Sequence, residues 1–184
     1  MLTMNPELFT IKQSQEMGLW PPSNLVAHGI SPYIARQKKS DLVVIDVGVM
    51  KGENAFMLLS NDTKKKIRKI YGIVSYASDK FVGPEYTENP ELAIIKENLK
   101  NEDRFELKSV LSGHKKADVV CIHAQSDLEK NLYDHYDRVE SGGIFCGNEH
   151  GTDRVKTILS KFRRDKRIGT PISVANDTWF WYVR

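Results

Sequence analysis

The sequence predicts an α/β domain, a three-layer sandwich in which a mostly parallel seven-stranded sheet with an antiparallel last strand lies between two layers of helices. From residue 41 onward, short apolar runs rich in β-branched residues alternate with segments whose apolar residues recur at helical spacing. That alternation is typical of a parallel sheet with helices on both faces. The run ADVVCIHA at 117–124 is apolar on both of its faces, which indicates a central strand. A chain of 184 residues is long enough to bury one such core.

Local patterns predict each element of this domain. Strands are predicted at 43–47, 69–75, 105–110, 117–124, 144–147, 171–175 and 178–183. Helices are predicted at 53–59, from Pro90, after an N-cap at Ser126, and from 152 to 162, because Pro favours the first helical position and Ser favours the cap. The segment AND at 175–177 indicates a tight turn, so the last two strands are expected to be antiparallel.

Residues 1–40 are predicted to form a helical or irregular lead-in that precedes the domain at 41–184. The segment WPPSN at 20–24 predicts an extended turn, and the short helix after it is expected to be interrupted near Pro32. The lead-in is apolar and the last predicted strand is aromatic, which favours a role for the lead-in as a cap or as a contact in a homodimer.

Composition narrows the class of protein. The net charge of +3 is too small to indicate a nucleic-acid partner. The basic clusters at 64–69 and 161–167 are interpreted as solvated faces, with a site for a phosphate-bearing substrate as the alternative. The two cysteines, Cys121 and Cys146, each lie in an apolar run, as expected in a reducing compartment. The sequence contains neither a secretory signal nor a run of about 20 apolar residues, so we expect a cytoplasmic protein with no membrane partner.

The strongest local motif is a glycine turn between the first strand and the first helix of the domain. Asp46 interrupts the apolar run at 42–47, and Gly48 and Gly52 follow that run. Gly48 allows a sharp exit from the strand, and Gly52 allows a ligand or neighbouring backbone to approach the helix start. The spacing matches neither the dinucleotide-binding nor the phosphate-cradling glycine motif. An acid at this position suits an ammonium group on a ligand better than it suits a diphosphate.

The stretch VVIDVGVMKGENAF around this turn resembles the first motif of class I S-adenosylmethionine-dependent methyltransferases, and the order of motifs resembles the macrocin O-methyltransferase-like group. The resemblance extends over 41–184, through KIYGIVSY, the segment from ADVVCIHA to GNEHG, and the closing DTWFWYVR. It implies a Rossmann-like fold. It also implies that Asp46, the loop from Gly48 to Gly52, and Glu53 face the amino-acid end of S-adenosylmethionine.

The chain departs from this family at three strand ends. Where the family has an acid that binds the ribose hydroxyls, this sequence has Val74 followed by Ser75, whose hydroxyl accepts a weaker hydrogen bond. The acid-rich segment after the fourth strand reads His123-Ala124-Gln125. After the fifth strand, Asn148 and Glu149 take the place of two metal-binding acids. With His123 they form a set that suits a transition ion better than Mg²⁺, and the alternative, simple hydrogen bonding at strand ends, is preferred.

His123 and His150 are the candidate general bases. Methyl transfer to a hydroxyl requires removal of its proton, and both residues follow strands of the predicted sheet near its carboxyl edge. Local hydrogen bonding is an equally good interpretation of each residue.

Three functions are compatible with these features. The first is methyl transfer from S-adenosylmethionine to a small polar acceptor, an oxygen of a sugar or sugar-like metabolite. The second is a catalytically degenerate member of the same fold that serves as a binding or interaction module. The third is a nucleotide-dependent activity such as nucleotide-sugar binding.

Overall fold

The computed structural model of the chain describes residues 9–74, 90–109, 111, 113 and 115–184. The helices are α1 (Ile11–Glu16), α2 (Ala27–Ala35), α3 (Glu53–Asn61), α4 (Pro90–Asn98), α5 (Leu128–His135) and α6 (Asp153–Asp165). The strands are β1 (Leu42–Val47), β2 (Ile67–Ile73), β3 (Phe105–Lys108), β4 (Ala117–Ile122), β5 (Val139–Gly147), β6 (Ser173–Ala175) and β7 (Thr178–Tyr182). None of the helices in these ranges is long and apolar enough to cross a membrane.

The seven strands form one sheet in the order β3-β2-β1-β4-β5-β7-β6. The first five are parallel, whereas β7 is antiparallel to both of its neighbours. The predicted fold class is therefore confirmed, including the antiparallel closing pair. In this order β1 and β4 lie side by side. From β1 the chain builds the sheet outward through β2 to β3, and it then crosses back to β4 and builds outward on the other side, so the strand order reverses between β1 and β4. A crevice beyond the carboxyl ends of these strands is where ligands bind in such sheets.

Two apolar cores cover the two faces of the sheet. One core contains α2, α3 and α4 with Val44 and Cys121, and the other contains α5 and α6 with Ile45 and Val120. β4 contributes to both cores, which confirms that it is buried on both faces. Trp179, Phe180 and Trp181 are almost fully buried and Tyr182 is exposed, so three of the four aromatic residues pack into the sheet core.

The connection between β3 and β4 affects the shape of one face. Its described residues form no helix, although Leu111 packs into the core that contains α5. Arg138 donates a hydrogen bond to the carbonyl of Gly113, 3.0 Å away, and so ties the connection to the start of β5. A cavity lies between the described residues of this connection, Ser109 and Leu111, and α5.

Three local predictions were wrong. The α2 helix continues through Pro32. Proline has no N–H to donate to the carbonyl of His28, and that carbonyl accepts a hydrogen bond from Asn176 Nδ2 instead (3.1 Å). β5 starts at Val139 and passes through the two glycines that were expected to precede it, with Gly142 at a φ of 83°. The N-cap of α5 is Asp127 and not the preceding serine.

Candidate active site at the carboxyl edge

Asp46 lies at the carboxyl end of β1 and is completely buried. Its Oδ1 accepts hydrogen bonds from Asn54 Nδ2 (2.9 Å) and from His123 Nε2 (2.7 Å). Its Oδ2 has no hydrogen-bond partner among the described residues, although it too is buried. A buried oxygen of this kind is costly to leave unpaired, so it marks a place where a ligand donor would be stabilised.

The glycine turn after β1 is held against β2. The amides of Gly48 and Val49 both donate to the carbonyl of Ile73, at 2.9 and 3.2 Å. Gly48 has a φ of 80°, and a Cβ added there would lie 2.8 Å from the Cβ of Ser126. Only glycine therefore fits this turn, because the left-handed conformation and the close approach to Ser126 both exclude a side chain.

Gly52 at the start of α3 is also in the left-handed conformation, with a φ of 79°. A Cβ added there would lie 2.7 Å from Leu99 Cδ1, so this glycine permits close packing of the segment that follows α4. No side chain caps the first turn of α3. Glu53 in that turn pairs with Lys51 at 3.2 Å. The N-terminal amides of α3 therefore remain available to an anionic group.

His123 follows β4 and lines a small cavity of about 70 Å³ at the carboxyl edge. A carboxylate only accepts hydrogen bonds, so the contact with Asp46 places the ring hydrogen on His123 Nε2. The other ring nitrogen, Nδ1, then carries a lone pair, and the hydrogen bond of this ring to a described residue is made by Nε2. An acid that orients a histidine and leaves its second nitrogen free is the usual arrangement of a general base.

The lead-in forms one wall of the same cavity. Asn148 Nδ2 donates to the carbonyl of Asn24 (2.7 Å), and Asn54 Oδ1 accepts from the amide of Ala27 (2.8 Å). Asn24 and Leu25 line the cavity together with Val49, Met50, Glu53, Asn54, His123, Gln125 and Asn148. Asn54 thus links the buried acid of β1 to the first residue of α2.

The three residues considered as metal ligands are occupied by protein partners. His123 contacts Asp46, Asn148 Oδ1 accepts from the amide of Ala124 (2.8 Å), and Glu149 Oε1 accepts from Gln125. In the part of the chain that the structure describes, no cluster of three or more His, Cys, Asp or Glu side chains is arranged to hold a metal ion. These side chains form a hydrogen-bond network and do not fit a divalent cation as they stand.

The remaining candidates lie elsewhere. His150 is half-buried in the loop after β5, where its amide donates to the carbonyl of Asp177 (3.1 Å), and it does not line the cavity. Ser75 lies outside the described residues. Cys121 and Cys146 are buried free thiols on neighbouring strands, with their sulfurs 3.5 Å apart. The hydrogen bond with Cys146 and burial both raise the pKa of Cys121, so this thiol is protonated and inert.

A second, larger cavity of about 460 Å³ lies on the other side of the glycine turn. Ile73 and Val74 at the end of β2 line it, and polar residues along one face of α5 form the opposite wall. At its far end, burial and the charge of Arg138 lower the pKa of His135 to about 4. His135 is half-buried, because the helical face that carries it is partly covered.

The lowered pKa of His135 predicts a loss of stability in acid. The unfolded chain takes up a proton on this ring near pH 6.5, whereas the folded protein does so only near pH 4. The neutral ring therefore makes its full contribution to the free energy of unfolding above about pH 6.5. That contribution, roughly 1–3 kcal/mol after allowance for solvent screening, is lost as the pH falls towards 4. Urea unfolding at several pH values should show that the free energy of unfolding falls less steeply with decreasing pH for His135→Asn than for the unchanged protein. Equal slopes would contradict the assignment.

Sequence reasoning missed Asn54 and the polar face of α5. Asn54 lies one helical turn before Leu58, and both residues are buried on the same face of α3. A polar residue at such a position in the sequence indicates a buried polar contact. The face of α5 carried no comparable signal, because whether it is covered depends on residues that are distant in the sequence.

The fold is similar to that of solved methyltransferases. No protein-family model matches the sequence, and no curated protein matches it either. Among solved structures, the chain is similar to a precorrin-6Y C5,15-methyltransferase from Geobacter metallireducens, with a TM-score of 0.58, 19% identity, and coverage of 84% of this chain and 86% of that one.

Two further structures show how widely this fold is used. The O-methyltransferase NovP matches with a TM-score of 0.58 and 16% identity over 86% of this chain and 77% of its own. A ribosomal protein L11 methylase from Lactobacillus delbrueckii subsp. bulgaricus matches with a TM-score of 0.52 and 13% identity over 86% and 77%. The precorrin-6Y methyltransferase and the L11 methylase are named for different acceptors, so the shared fold does not by itself identify the acceptor.

Proposed function

We propose that the protein is an S-adenosylmethionine-dependent methyltransferase of the macrocin O-methyltransferase-like group, acting on an oxygen of a small sugar-like acceptor. The observation that carries this proposal is the unpartnered, buried Oδ2 of Asp46 beside the glycine turn. A ligand ammonium would supply the missing donor and would form a charge-assisted hydrogen bond. The matching fold of solved methyltransferases supports the same conclusion.

An elongated cofactor would use both cavities, and the smaller one, at about 70 Å³, would have to widen to admit it. The amino-acid end would lie in the smaller one, with its ammonium on Asp46 and its carboxylate at the uncapped start of α3. The nucleoside end would lie in the larger one beside Val74. When bound, S-adenosylmethionine supplies an electrophilic methyl group. Val74 provides no acid for the ribose, and the role of Ser75 as its replacement remains a prediction.

His123 is the better placed of the two candidate bases. Its Nδ1 carries a lone pair, its ring is fixed by Asp46, and it lines the cavity that the lead-in closes. It would accept the proton of the acceptor hydroxyl during methyl transfer. His150 is the second candidate and lies outside this cavity. A homodimer remains a prediction.

The alternative is a degenerate fold that only binds partners. It is favoured by Val74 and by the absence of acids after β4 and β5. It does not explain why a carboxylate oxygen stays buried and unpaired next to the turn. Release of S-adenosylhomocysteine in the presence of a panel of sugars and nucleotide sugars distinguishes the two functions.

Replacing Gly48 by valine should abolish binding of S-adenosylmethionine. The new side chain would meet Ser126 and would force a strained backbone in the turn. Gly142→Val is a matched control, since Gly142 has a φ of 83° with no atom within 4 Å of an added Cβ. Titration calorimetry should show binding for the folded control and none for the folded Gly48 variant. Unchanged binding by Gly48→Val would mean that the cofactor does not lie at this turn.

A further inference from the structure

The amino edge of the sheet, opposite the candidate site, carries a concentration of positive charge. Three segments that are far apart in the sequence enter the neighbouring strands β2, β1 and β4 there. We call their exposed cations the amino-edge patch: Arg36, Lys38, Lys39, Lys64, Lys65, Arg68, Lys115 and Lys116. Since Leu42 pairs with Ile67 and Val44 pairs with Val119, the three segments leave the sheet at the same level.

Most of this charge is not neutralised within the protein. Only Lys39 of the amino-edge patch forms an ion pair with a described residue, a contact of 2.5 Å with Asp118. The carboxylate of Asp62, which lies in the same region, forms an ion pair with Arg104 at 2.9 Å and not with a residue of the patch. By contrast, the second basic cluster of the sequence is partly compensated, because Lys161 pairs with Glu129 and Lys166 pairs with Asp137. The two clusters that looked alike in the sequence therefore differ in the folded protein.

The patch borders a shallow depression of about 620 Å³. Arg36, Lys38 and Lys39 line it together with Tyr182, which is 41% exposed. Two carboxylates also line it, Asp118, which pairs with Lys39, and Glu140. The excess of cations lies in the patch beside this depression. A basic surface next to an exposed aromatic ring is the usual site for a single-stranded nucleic acid, whose phosphates follow the cations and whose bases stack on the ring. A membrane surface requires several apolar anchors, and Tyr182 is the one large exposed hydrophobic residue lining this depression.

We propose that the amino-edge patch binds a single-stranded nucleic acid through its phosphodiester backbone. The low net charge of the chain gave no reason to expect such a partner. Acidic residues elsewhere in the chain cancel most of the positive charge of the patch when the charges of all residues are summed. The outer two of the three strands lie about 10 Å apart, so the cations can contact successive phosphates. Binding here would be largely independent of base sequence and would weaken as salt rises.

The test is fluorescence anisotropy of a labelled, mixed-sequence single-stranded RNA, titrated with the protein at several salt concentrations. The variant Lys64→Ala/Lys65→Ala/Lys116→Ala removes three unpaired cations. For this variant, the slope of log affinity against log salt concentration should be shallower by about 2, because each lost phosphate contact reduces the slope by about 0.7. Tyr182→Ala should weaken binding by about tenfold through loss of stacking.

A variant with the same loss of charge elsewhere is the control. Lys12→Ala/Lys156→Ala/Lys161→Ala removes three exposed cations outside the amino-edge patch and should bind RNA like the unchanged protein. An equal loss in this control, or no measurable RNA binding even at low salt, would overturn the proposal. Binding to phosphatidylserine vesicles without binding to RNA would overturn it in favour of a membrane surface. The patch variant should retain cofactor binding, so this test is independent of the proposed methyl transfer.

Discussion

Asp46→Asn is expected to weaken binding of S-adenosylmethionine and S-adenosylhomocysteine by about ten- to a hundredfold. The amide has nearly the shape of the carboxylate, and its Oδ1 can still accept from Asn54 and His123. It replaces the unpartnered Oδ2 by an NH₂ group, which repels a ligand ammonium. Loss of a hydrogen bond to a charged group corresponds to about 1.5–3 kcal/mol, which gives the expected change in affinity.

Asp118→Asn is the matched control for this experiment. Asp118 is another carboxylate on the parallel sheet, but it lies at the amino edge, where it accepts from the amide of Val43 (2.8 Å). Its replacement should lower the free energy of unfolding and leave the cofactor affinity unchanged. If the Asp46 variant bound the cofactor as tightly as the unchanged protein, the ammonium would not be at Asp46. If both variants lost affinity equally, the effect would be one of general stability.

His123→Gln is expected to reduce turnover by about a hundred- to ten-thousandfold, with a change of no more than a few-fold in cofactor affinity. Glutamine can still donate to Asp46, so the buried acid keeps its partner. It has no basic nitrogen to replace Nδ1, and the range is the usual contribution of a general base. The measurement is release of S-adenosylhomocysteine with an acceptor found by the sugar screen, combined with calorimetry for the affinity.

His150→Gln separates the two candidate bases. His150 lies beside the turn between β6 and β7 and has no contact with Asp46, so its variant should keep most of the turnover. Loss of turnover in this variant alone would identify His150 as the base and would remove His123 from that role. Loss in neither variant would mean that the reaction needs no histidine.

The sheet could be predicted because its signals are local. The β4 run is apolar on both faces, and that pattern specifies a central strand whatever surrounds it. The aromatic closing strand likewise specifies its own burial. Elements whose limits depend on distant partners were predicted less well. The α2 helix passes Pro32 because Asn176, from the β6–β7 turn, takes over the carbonyl that the proline leaves free.

The candidate site was predictable as a location but not as a network. The spacing of Asp46 and Gly48 placed them at a strand end, and the parallel order brought His123 to the same edge. That His123 and Asn54 share one oxygen of Asp46 depends on side-chain directions that no spacing specifies. The two basic clusters differ for the same reason, because their neutralisation depends on residues that are distant in the sequence.

Titration calorimetry of the purified protein with S-adenosylmethionine, and then with S-adenosylhomocysteine, tests the central claim most directly. The unpaired oxygen of Asp46, the uncapped start of α3 and the two cavities beside Gly48 together predict binding of both compounds at micromolar concentration. Binding of neither compound up to millimolar concentration would contradict the account and would leave the protein as a methyltransferase fold without its cofactor.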